Sequence, residues 1–235
     1  HEIGNHSLSH RYDLSRCDRE TMRREVEGGA AAIARATGLR PQGFRAPGYT
    51  MSDALADVLA EAGIGWDSSV FPCPAYWAAK TAAIGLIALR GRESRSIADH
   101  PLVLSAPANP YRLGRPYWQR GSGMLEMPIG VTRGARFPFI GTSLVLGGPT
   151  LSRSLASMVV GRPVVVLELH GIDLSDARRD GLEHLAPHQP DLRVTLSRKL
   201  DAIDAAIVRL RDAGYSFVTH SEAAERSGWS RVTGG

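Results

Sequence analysis

The chain is poor in lysine and cysteine and has no long apolar run, and each shortage narrows what it does. Of 28 basic residues only Lys80 and Lys199 are lysines, and the other 26 are arginines. They are scattered, with no basic run interleaved with aromatics, and the net charge is only +4. That pattern argues against a nucleic-acid-binding surface. Cys17 and Cys73 are the two cysteines, far apart and in neither C-x-x-C nor zinc-ribbon spacing, so two unpaired thiols are expected. No stretch reaches the length of a membrane span, and no signal peptide is recognisable. The chain does not begin with Met, so its natural N-terminus, with any targeting segment, is expected to lie upstream.

What is present is enough for a full core. With 235 residues, 43% of them hydrophobic, the chain reads as one domain over 1–228, with a loop-rich insertion at about 71–150 and a tail at 229–235. Residues 1–5 read as the tail of a strand. Asp18 is an N-cap with Glu20 in the first turn, and Met22, Val26 and Ile33 carry helical spacing up to Gly38 as the stop. Gly28-Gly29 weaken that helix by roughly 1 kcal/mol each. A short strand over 41–45 follows, then a helix capped by Thr50 or Ser52 and stopped by Gly63, then a strand at 64–66 that delivers Asp67.

Beyond residue 71 the spacing predicts a short helix within 75–90, strands at 102–104 and 124–128, and a long loop between them. Tyr111, Tyr117 and Trp118 in that loop could stack on a sugar, but local packing is the favoured reading. A helix near 150–160 leads to Pro163–Leu169, a β-branched run of the buried parallel kind, with His170 at its end. Residues 171–194 read as polar loop, including His184 and His188, which Pro187 keeps off a helical face. A helix over Thr195–Ala213 has Leu196, Leu200, Ile203, Ile207 and Leu210 on one face. A strand over Tyr215–Val218 and a helix from Ser221 close the domain.

The stretch around which this pattern is organised is Glu2-Ile3-Gly4-Asn5-His6-Ser7-Leu8-Ser9-His10. If it turns into a helix, His6 and His10 project from one face, a geometry in which two neutral imidazoles hold one zinc-like ion. The stretch resembles the metal-binding motif of the polysaccharide deacetylases, the NodB-homology family. Phe44-Arg45-Ala46-Pro47-Gly48-Tyr49, Trp66-Asp67-Ser68-Ser69 and Leu167-Glu168-Leu169-His170 match the same family in the same order. The Arg-Ala-Pro and Asp-Ser-Ser variants resemble the subgroup that includes envelope exopolysaccharide deacetylases and some cyclic-amide hydrolases.

The resemblance implies an α/β fold, an incomplete and distorted (β/α) barrel whose first strand and helix are missing here. It implies metal-dependent removal of N-acetyl groups from amino sugars of a polysaccharide or glycan, with His6 and His10 as ligands of a divalent ion, zinc or else cobalt. His170 would be the general acid, Arg45 would hold the catalytic carboxylate, and Asp67 would orient His170. Pro47, Gly48, Tyr49 and Leu167 would bind substrate, with the oxyanion-facing N–H on Gly48 or Tyr49. The family's Thr-Phe-Asp-Asp motif, which supplies the base and a third ligand, is absent from these residues, so the fragment alone is expected to be inactive. A non-sugar amide hydrolase and a catalytically dead carbohydrate-binding relative are the alternatives. The cell envelope is the family's usual place, with the cytoplasm left open.

Overall fold

The computed structural model describes residues 1–226 and 228, so the tail expected at 229–235 lies outside the described residues. The chain divides into two compact units, one of His1–Pro128 with the chain from Val218, the other of Ile129–Phe217.

The first unit is α/β. Helix α1, Arg19–Thr37, starts where Asp18 accepts from the Thr21 N–H and ends at Gly38, whose φ of 76° supplies the left-handed stop. Strand β1 (Gly43–Phe44) precedes helix α2 (Asp53–Glu61), which is capped by Ser52 rather than Thr50. Strand β2 is Trp66–Asp67, helix α3 is Pro74–Leu89, and β3 (Tyr111–Leu113) and β4 (Arg120–Glu126) follow. The sheet order is β1-β2-β4-β3, parallel except for β3 against β4. The α/β reading therefore holds, with a sheet that is open rather than closed into a barrel. Leu14, Met22, Val26, Phe44, Leu55 and Leu59 pack beside the sheet with no exposure to speak of. Helix α6, His220–Arg226, belongs to this unit. Among the described residues no helix is long and apolar enough to cross a membrane, and both thiols are free.

Several local expectations are corrected. Residues 102–104 lie in a 3-10 turn, Pro101–Ser105, because Pro101 presets the backbone and the His100 ring accepts from the Leu102 N–H. Tyr111 and Tyr117 are buried, and the Tyr111 hydroxyl donates to the Tyr117 carbonyl. They are packing residues, in agreement with the favoured reading.

The second unit is built on α4 (Gly141–Val159) and α5 (Leu196–Asp212), packed through Leu144, Leu155, Val159, Ala206 and Leu210. Helix α4 begins earlier than expected and kinks at Gly148, which stands at φ 74° before Pro149. The run 163–169 forms no ladder strand. Its neighbours each bond it at one point, Gly130 N–H to the Val166 carbonyl and Gly141 N–H to the Glu168 carbonyl, leaving an isolated bridge between Ile140 and Glu168. Residues 215–218 form no strand either. The Tyr215 N–H closes the end of α5 on the Leu210 carbonyl, and the Phe217 side chain is exposed. The face of α5 is also rotated from the expected one, with Lys199 inward and Leu200 48% exposed.

Candidate functional site

The histidine stretch is not a helix. It is a turn laid across α1, with Ser7 at φ 67° and His10 at φ 57°, conformations that cost an L-residue on the order of 1 kcal/mol each. The turn nonetheless brings the two rings together, with centroids 4.8 Å apart and an interplanar angle of 74°. Two residues, Asn5 and Ser9, anchor it. Asn5 donates from its backbone to Gly43, accepts from the Arg45 N–H, and donates its side-chain amide to the Val26 carbonyl of α1. Ser9 donates both its N–H and its hydroxyl to Glu25, a buried carboxylate on α1. Gly28 and Gly29 open the space in which the turn lies, since a Cβ on Gly29 would sit 2.4 Å from Asn5 Oδ1 and 2.9 Å from the Ser7 carbonyl carbon. The glycines that weaken the helix in isolation therefore serve the turn above it.

His6 Nδ1–H donates to the Arg45 carbonyl at 2.6 Å. In that neutral tautomer the lone pair is on Nε2, the arrangement found behind metal-ligating imidazoles. The donor chemistry thus fits two positions around a divalent ion. Among the described residues no third His, Cys, Asp or Glu joins the pair to make a full set.

Arg45 leaves β1 and directs its guanidinium to Ser68, with Nε donating to the carbonyl and Nη2 to the hydroxyl, each at 2.8 Å. Among the described residues it forms no carboxylate ion pair. The loop after it is a 3-10 turn, Pro47–Tyr49, with Gly48 at φ 69° and Tyr49 at φ 57°. The Tyr49 N–H donates to the Ala46 carbonyl, and Lys80 Nζ donates to the Gly48 carbonyl at 2.6 Å. Both polar groups of the peptide linking residues 48 and 49 are therefore committed.

Asp67 ends β2, fully buried, and accepts from the Ser69 hydroxyl and N–H. The Ser69 hydroxyl in turn accepts from the Ala46 N–H. Strand register sets Asp67 opposite Glu126, which is also fully buried and accepts from the Val70 N–H. Burial pushes both carboxyls up; the Asp67 charge adds to the rise at Glu126, while Ser69 and the Arg45 charge oppose it at Asp67. Glu126 Oε2 has no hydrogen-bond partner among the described residues, so a charge on this carboxyl would be left unsatisfied. Burial, with the Asp67 charge added, pushes Glu126 well above the ordinary carboxylate range.

The raised Glu126 carboxyl has a consequence for stability. The folded state keeps a proton that the unfolded chain releases above about pH 4, so stability falls as the pH rises from there toward neutrality. Glu126→Gln, permanently neutral and still a donor, is expected to flatten that slope. Urea denaturation of both proteins across this range measures it, and parallel slopes would show that Glu126 keeps no such proton.

Trp66 covers Gly43, where a Cβ would lie 2.0 Å from its ring, and stacks on His220 with centroids 4.4 Å apart. Burial pushes the His220 imidazole down to about 4. Glu2 accepts from the Ser221 N–H and hydroxyl, tying the first residues to the start of α6.

In the second unit His170 follows the extended run and exposes 58% of its side chain, with Nδ1 2.9 Å from Oε1 of Glu168, itself buried. The His170 N–H donates to Asp173 Oδ2, and the Asp173 N–H returns to the His170 carbonyl. Gly141 is required here, since a Cβ would meet Asp173 Oδ2 at 2.0 Å. Leu167 is half-buried against the α4–α5 core. The structure thus brings His6, His10, Arg45, Pro47, Gly48, Tyr49 and Asp67 into the first unit, while Leu167 and His170 belong to the second. Sequence reasoning missed Glu25, Lys80, Glu126, Glu168 and Lys199. Glu25 was detectable as a carboxylate on the apolar face of α1, beside Met22, Val26 and Gly29. The two lysines were detectable by their rarity.

A family model for polysaccharide deacetylase matches residues 1–65. No curated protein matches the chain. A crystal structure of a protein from Mycobacterium smegmatis, provisionally named a polysaccharide deacetylase, is 20% identical with a TM-score of 0.44, covering 94% of this chain and 67% of that one. The matched stretch, residues 1–65, is similar to the polysaccharide deacetylase family model and carries the His6/His10 turn, Arg45 and the Pro47–Tyr49 loop.

Proposed function

We propose that the protein hydrolyses N-acetyl groups of amino sugars in a polysaccharide or glycan, with a divalent metal ion held in part by His6 and His10. The observation that carries this reading is the imidazole pair, with His6 Nδ1 fixed on the carbonyl of Arg45, the residue that opens the Ala46–Tyr49 loop. An ion bound there, zinc or cobalt, would polarise the amide carbonyl and acidify a water.

The chain's own residues then do the following. Arg45, locked on Ser68, fixes the start of the substrate loop. With the Tyr49 N–H spent on Ala46, the Gly48 N–H is the donor for the developing oxyanion. Asp67 braces that loop through the Ser69 hydroxyl, which accepts from the Ala46 N–H. By the resemblance His170 is the general acid for the departing amine, and within its own unit the Glu168 carboxylate lies 2.9 Å from its Nδ1 and holds the ring.

The test is acetate release from chito-oligosaccharides by the gene's full-length product, with Zn²⁺ or Co²⁺ supplied. His170→Ala is expected to lose roughly 10²–10⁴-fold in kcat, and His10→Ala to lose metal-dependent turnover. Stoichiometric metal without acetate release would move the assignment to a non-sugar amide. Neither metal binding nor release would point to a carbohydrate-binding protein.

A further inference from the structure

We infer that Lys80 is a positioning residue for the oxyanion-binding peptide, orienting the Gly48 N–H by holding the Gly48 carbonyl. The inference rests on the deacetylase reading for its consequence in catalysis, but its geometry stands apart from it.

Lys80 lies on α3, far in sequence from the loop it serves, and its Nζ donates to the Gly48 carbonyl at 2.6 Å. The peptide that follows Gly48 has its carbonyl on Lys80 and its N–H on Ala46. A peptide plane fixed at both its polar atoms cannot swing, and the preceding N–H, on Gly48 itself, is then fixed in direction by one φ/ψ pair. That pair is left-handed at Gly48, and a Cβ there would meet Tyr12 Cδ1 at 3.0 Å and Lys80 Nζ at 3.3 Å. The loop therefore has a glycine beneath a fixed ammonium, with the Tyr12 ring as the other wall.

The groups facing the ammonium explain how a charge is kept there. Nζ stands 5.8 Å from the centre of the Tyr76 ring. Burial pushes the Lys80 ammonium down to about 8, and the Asp99 carboxylate opposes this by favouring the charged form. Asp99 is itself held by the Tyr117 hydroxyl and the His100 N–H. Besides orienting the peptide, the ammonium places a positive charge one peptide away from where negative charge develops in amide hydrolysis, and this favours the transition state over the ground state.

Lys80→Met keeps the stem and removes the charge and donor. The expected result is a fall of about 10-fold or more in kcat with KM nearly unchanged, the signature of an interaction made in the transition state. A second measurement does not depend on turnover. The carbonyl carbon resonance of Gly48 is expected to move as Lys80 loses its proton near pH 8, and to stay flat over the same range in Lys80→Met. Equal kcat in the variant, or a Gly48 carbonyl that ignores the titration, would overturn the inference. Should the wild type release no acetate at all, the deacetylase reading fails while the Gly48 resonance still decides whether Lys80 holds the loop.

Discussion

Gly29→Ala is expected to weaken metal binding by the His6/His10 turn at least 10-fold while leaving α1 intact, and Gly28→Ala is expected to leave metal binding unchanged. On propensity alone both substitutions stabilise the helix by roughly 0.5–1 kcal/mol. The neighbours separate them. At Gly28 the new methyl meets the Leu8 Cδ2 atom at 2.8 Å, the far end of a side chain that is half exposed and free to rotate. At Gly29 it meets Asn5 Oδ1 at 2.4 Å and the Ser7 carbonyl group at 2.9 and 3.0 Å. Those atoms cannot step aside, because Asn5 is tied to Gly43, Arg45 and Val26, and Ser7 stands in a left-handed conformation.

The turn must therefore lift, and the 4.8 Å approach of the two rings goes with it. Calorimetric titration with Zn²⁺ should show at least a 10-fold weaker site in Gly29→Ala, with helix content preserved by circular dichroism. Amide exchange at Asn5 and Arg45, whose N–H groups close the bridge to β1, should speed up in the same variant. Unchanged metal affinity and exchange would mean that α1 does not support the turn.

The same pair of glycines shows what a sequence discloses and what it withholds. Both caps of α1 were readable because Asp18 and Gly38 act on adjacent backbone through local bonds. The cost of Gly28-Gly29 was readable too, but its purpose lay in residues 5–8, which touch the helix only after folding. Arg45 and Asp67 were legible as motif residues at strand ends, whereas Glu126 became a partner of Asp67 only through the register of β2 and β4. Likewise the run 163–169 has the composition of a buried strand, yet ladder formation depends on neighbours, and Gly130 and Ile140 supply one contact each. The helical expectation for His6–His10 failed for a local reason. The Ser7 hydroxyl accepts from the His10 N–H and Glu25 binds Ser9, and these side-chain bonds replace a helical ladder.

Lys199→Met is expected to destabilise the protein by about 3 kcal/mol, lowering the melting temperature by roughly 6–12 °C. Spacing assigned Leu200 to the inner face of α5, but the helix turns Lys199 inward instead. The buried ammonium donates to the Ile172 carbonyl at 2.7 Å and to the Ser175 carbonyl at 2.9 Å, closing the 3-10 turn Gly171–Leu174 that follows His170. Its charge also favours ionisation of Asp191, which burial pushes up and whose Oδ1 finds no partner among the described residues. Methionine fills the channel of the stem but leaves two carbonyls without a donor and Asp191 without a counter-charge. In a chain that uses arginine almost everywhere else, both lysines hold backbone carbonyls beside candidate site loops. A compact ammonium suits those narrow places better than a planar guanidinium. Thermal denaturation of Lys199→Met against wild type decides the matter, and a shift within about 1 °C would show that the two carbonyls and Asp191 are satisfied without it.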